Sequence, residues 1–313
     1  MSCDSPVFLV GAMRSGTTLL RLMLDHHPEI AFNLESEFLV TQILDDGSLP
    51  DISTYREFLE NDRVFQHSHF VIKDGLDYVS LVKDFLEQKR TRDGKTMVGA
   101  TIHEQFAKIG RIWPNAKYIY ILRDGRDVAR SIVQQGLAGN AYMAADWWLQ
   151  AETEWLSYRE TLPKGSWIEL RYKDLIADPV KELTRICRFL GVAYSNAMFD
   201  YVNNSSYGKP DVSKIEQWKS KMSNRMLQCV EYKIGDRLLF RGFELSGYPK
   251  ITLSGFDEKY LRLQSKFGAF VWRMRKYGAT LVIGETVTRR LGLTEQHRRI
   301  SRMMDKILEG NLK

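Results

Sequence analysis

Apolar positions along the chain fall into short continuous runs that alternate with stretches of helical periodicity. Val7-Phe-Leu-Val10, followed by a glycine-containing loop, predicts a buried strand. Leu19, Leu20, Met23 and Leu24 then recur at helical spacing, and Asp25-His-His-Pro28 predicts the stop, because a residue before proline disfavours the helical region. Residues 41–95 predict surface helices and turns, punctuated by Asp-Gly pairs at 46–47, 74–75 and 93–94. Met97-Val-Gly-Ala100 predicts a second strand, and Phe106 to Trp113 a helix ended by Pro114. Lys117-Tyr-Ile-Tyr-Ile-Leu122 is β-branched and aromatic, as an interior parallel strand would be. Val128 to Gln135 predicts a helix. Ala144 to Arg159 predicts another, with Trp147, Trp148 and Trp155 as a core stripe on one face. Ser166-Trp-Ile-Glu-Leu170 predicts the last strand. Asp178-Pro-Val opens a capped helix that Gly191 closes. Strands alternating with helices predict an α/β fold, a central parallel sheet flanked by helices on both faces. No internal repeat is present.

Composition narrows this only at the edges. The 313 residues, 44% hydrophobic and 27% charged with 22 Gly and 8 Pro, exclude wholesale disorder and a fibrous chain. No apolar run approaches the roughly 20 residues of a membrane-spanning helix. The run Pro6–Ala12 is too short for a signal-peptide core and lacks a basic flank, so the chain is expected in the cytoplasm. Cys3, Cys187 and Cys229 are too widely spaced for a zinc site or a disulfide framework.

Charge changes the picture more. Residues 250–313 hold 14 Lys/Arg against 6 Asp/Glu, a balance of +8, while the first 249 residues carry 31 basic and 33 acidic groups. Within this tail Tyr260, Leu261, Leu263, Phe267, Phe270, Val271 and Met274 interleave with Lys and Arg, and residues 289–308 repeat the character. The expected organisation is a main domain, 1–248, and a basic helical extension, 249–313. The extension has either a solvated basic face or a surface that docks on an anionic membrane, leaving the protein membrane-peripheral, or on an acidic acceptor. No nucleic-acid partner is expected, since no recognised motif is present.

The loop after the first strand carries the candidate chemistry. Gly11-Ala-Met-Arg-Ser-Gly-Thr-Thr18 lies between a strand and a helix, where free backbone N–H groups and the helix dipole favour an anion. Its two glycines have the spacing of a Walker A loop. The lysine such a loop needs after its second glycine is replaced by Thr17, and the fixed cation is Arg14. This argues for an anion of different shape from a nucleoside triphosphate. Asp25, His26 and His27 read as helix-end residues, and no metal site is expected.

Arg14-Ser-Gly-Thr-Thr-Leu-Leu20 resembles the 5′-phosphosulfate loop of sulfotransferases that use 3′-phosphoadenosine 5′-phosphosulfate (PAPS). The longer run to Pro28 is similar to the tyrosylprotein sulfotransferases. Tyr120-Ile-Leu-Arg-Asp-Gly-Arg-Asp-Val-Ala-Arg-Ser131 resembles the family's 3′-phosphate element, an Arg ending a strand and a Ser eight residues on, here Arg123 and Ser131. Glu169–Pro179 through Ile186–Gly191 resembles the strand-turn-helix that follows, so the likeness covers residues 6–245. It implies a three-layer P-loop-like sulfotransferase fold with a five-stranded parallel sheet. It also implies PAPS as the sulfuryl donor, no required metal, and an acceptor hydroxyl on a peptide tyrosine, a sugar, a lipid or a small metabolite.

The resemblance assigns cofactor contacts to Arg14, Ser15, Gly16, Thr17, Thr18, Arg123 and Ser131, with Tyr172, expected to end its strand, and Ser206 and Lys209 in the Ser205–Pro210 stretch as further candidates. Two residues compete as the base. Glu35 lies 21 residues after Arg14, the interval at which tyrosylprotein sulfotransferases carry their catalytic Glu. His103, ending Val98-Gly-Ala-Thr-Ile-His103, resembles the catalytic His of cytosolic small-molecule sulfotransferases. Many members carry a catalytic Lys in the 97–103 stretch, which here has none. Either Arg14 covers that charge or His103 substitutes for it. Two other readings stand beside this one: a P-loop nucleotide kinase or NTPase, and a PAPS-fold binding protein without catalysis.

Overall fold

Both faces of the first strand are apolar, and both are covered. A computed structural model describes residues 5–309 of the chain. Five strands, β1 (Val7–Val10), β2 (Ile30–Glu35), β3 (Met97–Ile102), β4 (Lys117–Leu122) and β5 (Trp167–Arg171), form one sheet in the order β2-β3-β1-β4-β5. Every pairing is parallel. The helices between them are α1 (Thr17–Asp25), α2 (Ile52–Asn61), α3 (Arg63–Ser68), α4 (Tyr78–Arg92), α5 (Phe106–Ile112), α6 (Gly125–Gln134), α7 (Ala141–Arg159), α8 (Tyr172–Ala177) and α9 (Pro179–Leu190). Alternate side chains of a strand point to opposite faces. Val7, Leu9, Ile119 and Ile121 therefore pack with Leu20, Met23 and Leu24 of α1, Leu175 of α8, and Leu183 and Ile186 of α9. On the other face Phe8 meets Trp113, ring centroids 5.1 Å apart, and Tyr120 stacks on Trp155 of α7 at 4.7 Å. This is the three-layer arrangement expected.

The chain folds as two compact units. The first comprises the residues up to Arg123 together with Leu149–Ile215 and contains all five strands. The second comprises Asp124–Trp148 and the residues from Glu216 onward. In the second unit the buried Arg126 guanidinium donates to Asp124 Oδ2 and Glu231 Oε1, each at 2.7 Å, and lies 3.6 Å from the centroid of the Trp218 ring. After α9 the chain forms α10 (Tyr201–Asn204), still in the first unit, and then, in the second, α11 (Trp218–Lys221), α12 (Asn224–Phe240), α13 (Gly255–Tyr277), α14 (Ala279–Arg290) and α15 (Thr294–Glu309). Helix α13 begins on a capping box, Ser254 with Asp257. The basic segment expected over 289–308 is the end of α14 followed by α15, broken at Leu291–Leu293.

Several expectations are corrected. Strand β2 was not predicted, because Ile30-Ala-Phe-Asn-Leu-Glu35 follows a proline turn and its register depends on distant partners. Asp25 Oδ1 accepts the Phe32 N–H at 2.7 Å, and Lys95 Nζ donates to the Ile30 carbonyl at 3.1 Å. Helix α4 is more than a surface helix: Tyr78, Leu81, Val82, Phe85 and Leu86 are buried. Trp148 and Trp155 are fully buried while Trp147 is 39% exposed, since adjacent helical residues point about 100° apart. Helix α6 starts earlier than predicted because the Asp124 carboxylate accepts the Arg126 N–H. Cys187 and Cys229 are buried free thiols, and Cys3 lies outside the described residues.

The sheet closes on Gly99. A Cβ there would stand 2.3 Å from the Phe32 ring and 2.5 Å from the Val7 carbonyl oxygen. Gly99→Ala should therefore lower stability by about 1–3 kcal/mol through overpacking. Urea unfolding measures this; an unchanged midpoint would show that the strands have room to part.

Candidate functional site

In a parallel sheet, ligands bind outside the carboxyl ends of the strands. Five of the candidate positions stand at those ends. The loop 11–18 follows β1, Glu35 ends β2, His103 follows β3, Arg123 follows β4, and Tyr172 follows β5.

The loop is held open by backbone conformation. Arg14 has φ 69° and Gly16 φ 100°, both left-handed. At Gly16 a Cβ would lie 2.4 Å from the Tyr172 ring, so glycine is required on both steric and conformational grounds. Gly16 is the N-cap of α1, where no side chain caps the free N–H groups and no acidic residue occupies the first turn. Ser15, 1% exposed, has a buried hydroxyl with no hydrogen-bond partner. Uncapped donors, a helix dipole and an unsatisfied buried hydroxyl in one turn fit an anionic group such as a phosphate.

Thr17 begins the helix, and its Oγ1 lies 3.1 Å from His103 Nε2. On the other side of the imidazole, Nδ1–H donates to Glu37 Oε1 at 2.7 Å, and the His103 backbone N–H donates to the same oxygen at 3.1 Å. A carboxylate only accepts, so Glu37 keeps Nδ1 protonated. Burial opposes charge on this ring, but the Glu37 hydrogen bond and the charges of Glu37, Glu35 and Glu104 outweigh it and hold the imidazole above its ordinary value. In the imidazolium form Nε2–H donates to Thr17 Oγ, which leaves the threonine's own hydrogen to donate to an anion in the loop.

Glu35 is exposed at the end of β2, in register with Thr101. The register shifts between Phe32 and Glu35, and Asn33 Nδ2 donates to Ser36 Oγ at 2.9 Å across the irregularity. Such irregularities re-aim side chains. The Glu35 charge acts on both His103 and Arg21. Burial pulls the Arg21 guanidinium down from its ordinary value, against the charges of Asp25, Glu35 and Tyr207.

Arg123 donates from Nη1 to the Arg14 carbonyl at 3.0 Å and from Nη2 to the Lys214 carbonyl at 2.8 Å. Its guanidinium lies 4.3 Å from the centroid of the Tyr172 ring. Arg14, Gly16, Arg123 and Tyr172 are thus brought together. Tyr172 opens α8 instead of ending its strand, because the chain turns helical directly after Arg171. Thr18 is half-buried on the first turn of α1. Ser206 and Lys209 are exposed in the segment after α10, whose Gly208 carbonyl accepts the Tyr201 hydroxyl at 3.0 Å. Ser131 is buried on α6 and belongs to the second unit.

Asp25, His26 and His27 hold the end of α1 through hydrogen bonds to the backbone. His26 Nδ1 pairs with the Leu22 carbonyl and His27 Nε2 with the Ala193 carbonyl, both at 2.8 Å. Among the described residues no His, Cys, Asp and Glu side chains cluster as a metal site. Two site residues escaped the sequence reading. Nothing local in the sequence sets Glu37 apart, since its partner lies 66 residues on. Arg21 sits one helical turn beyond Thr17, a spacing that offered a signal.

The loop and the uncapped start of α1 stand at the head of a parallel sheet, an arrangement that suits an anion. Residues 6–196 match the Sulfotransferase family, and the chain belongs to that family. It is 27% identical over 228 residues to protein-tyrosine sulfotransferase 1 of Danio rerio, covering 68% of this chain and 61% of that protein. It is 22% identical over 207 residues to protein-tyrosine sulfotransferase A of Caenorhabditis elegans, covering 62% and 52%. The chain spans between 37% and 68% of the length of curated relatives that it matches. Among solved structures, the sulfotransferase domain from the Synechococcus PCC 7002 olefin synthase superposes with a TM-score of 0.55 at 19% identity, over 72% of this chain and 94% of that one. It shares the fold.

The Glu37–His103 contact makes a direct prediction. In an NMR titration the His103 imidazole should lose its proton at lower pH in Glu37→Gln than in the wild type. An unmoved midpoint would show that Glu37 does not set the charge of the ring.

Proposed function

We propose that the protein transfers a sulfuryl group from PAPS to an acceptor hydroxyl. The observation that carries this reading is the loop itself: an uncapped helix start with the unsatisfied Ser15 hydroxyl, Arg14 within the loop, and Thr17, tied to His103, where a nucleotidase has lysine. That substitution weighs against a kinase or NTPase. A catalytically silent binding protein has no need for two carboxylates and a charged imidazole beside the cradle. The names of the relatives support a peptide tyrosine as the acceptor among hydroxyl-bearing molecules. Chemistry would reside in residues 1–248, with 249–313 as an accessory segment.

In this reading Ser15, Gly16, Thr17 and Thr18 hold the 5′-phosphate of the donor, through backbone N–H groups and hydroxyls. Arg123, and by sequence spacing Ser131, hold the 3′-phosphate, where a guanidinium fork gives two charge-assisted hydrogen bonds. Tyr172 supports Arg123 from below, and Ser206 and Lys209 complete the nucleotide contacts. Bound PAPS supplies the group to be transferred. Glu35 accepts the proton of the acceptor hydroxyl as its oxygen bonds to sulfur. Arg14 and the His103 imidazolium, acting through Thr17, balance the charge left on the 5′-phosphate oxygen as its bond to sulfur breaks. The His103 cation takes the place of the lysine that many relatives carry. The transferred group bears less negative charge than a phosphoryl group, so no metal ion is needed in this scheme.

Glu35→Gln should lower turnover of labelled PAPS with a tyrosine peptide by at least about 10²-fold while nucleotide binding stays near wild type. If His103→Asn abolishes turnover and Glu35→Gln does not, the histidine is the base.

Arg123→Ala should weaken binding of adenosine 3′,5′-bisphosphate by about 1.5–3 kcal/mol in calorimetric titration. Adenosine 5′-monophosphate, without the 3′-phosphate, should lose much less; equal losses would sink the assignment.

A further inference from the structure

The inner face of helix α13 carries Leu261, packed with Tyr142, Cys229 and Leu253, beside small and polar groups. Ser265 Oγ accepts the Gly139 N–H at 3.0 Å, Asn140 Nδ2 donates to the Leu261 carbonyl at 2.7 Å, and a Cβ on Gly268 would lie 2.9 Å from Gly139. Its opposite face carries Phe256, Tyr260, Leu263, Phe267 and Phe270, between 44% and 79% exposed. Their steps of four, three, four and three residues keep all five on one stripe. Over these residues the helix rises about 21 Å at about 1.5 Å per residue. Scattered apolar side chains on a surface need no explanation, whereas a continuous stripe of large ones marks an interaction site.

The charges beside the stripe indicate what covers it. Lys259, Arg262 and Lys266 are exposed along one flank, and the acidic residues of the helix, Asp257 and Glu258, are confined to its first turn. We infer that this face docks on an anionic lipid surface. The helix would lie in the interface with its aromatic and leucine side chains among the acyl chains and its basic flank among the headgroups. No described helix is long and apolar enough to cross a membrane, so the contact lies along the surface. A second copy of this chain fits less well, because a segment whose balance is +8 would meet its own charge. This inference is independent of the sulfuryl-transfer reading, since it needs no nucleotide and no turnover.

The test is co-sedimentation of the full chain with vesicles of phosphatidylcholine alone and of phosphatidylcholine with phosphatidylglycerol. The wild type should bind the second kind and be released by salt. Leu263→Gln with Phe267→Gln should lower that binding at least about tenfold. Both positions face solvent, so the circular-dichroism spectrum and Tm should be unchanged. Lys259→Glu with Lys266→Glu leaves the apolar stripe intact and should remove the preference for phosphatidylglycerol. The inference is overturned if the wild type ignores anionic vesicles, or if neither pair of substitutions weakens binding. It is equally overturned if light scattering shows a dimer that the Leu263/Phe267 pair dissolves, which would assign the stripe to a second copy.

Discussion

The Tyr172 ring occupies the place where a side chain on Gly16 would stand, with 2.4 Å between ring and hypothetical Cβ. The arrangement of the strand ends depends on this contact. It pins the start of α8 to the loop after β1, and the same ring lies under the Arg123 guanidinium, which in turn holds the Arg14 carbonyl. Three adjacent strand ends, those of β1, β4 and β5, are thereby tied around one turn of backbone. On the other side Thr17 joins the loop to His103, and His103 joins it to Glu37, which brings in the ends of β3 and β2. The loop is thus gripped from both edges of the sheet. Its own left-handed turns, costly for any residue but glycine, persist because the surrounding contacts leave no alternative.

The electrostatics follow from the same geometry. A buried imidazole ordinarily sheds its proton, yet the Glu37 carboxylate accepts both the ring and backbone N–H of His103 and reverses that preference. Arg21 is half-buried nearby, with the carboxylates of Asp25 and Glu35 favouring its charge. Fixed cations and carboxylates stand together at the mouth of a helix N-terminus that no side chain caps. Such preorganised charge stabilises a developing anion without reorganisation at the moment of reaction.

The second unit has a different logic. Its interior relies on a buried ion-pair network around Arg126 and on close backbone approach at Gly139 and Gly268. Helix α13 buries Leu261 in the apolar cluster with Tyr142, Cys229 and Leu253, yet its opposite face is apolar too, a departure from the usual amphipathic pattern of one apolar side.

Much of this was legible in the sequence. Apolar runs of four to six residues located β1, β3 and β4, because interior parallel strands are buried on both faces and need no alternation, while Trp167, Ile168 and Leu170 marked the edge strand β5. Asp178, Pro179 and Gly191 marked α9 because capping is local chemistry. The loop at 11–18 was recognisable because its glycines answer to backbone conformation, a property of the residues themselves. The tertiary structure alone decided β2, whose register rests on Asp25 and Lys95, and the face on which each tryptophan of α7 lies. It alone paired Glu37 with His103, and it alone showed which face of α13 is buried and which is left to solvent. Each of these depends on a partner tens of residues away, and periodicity along a chain reports which residues share a face, not what that face meets.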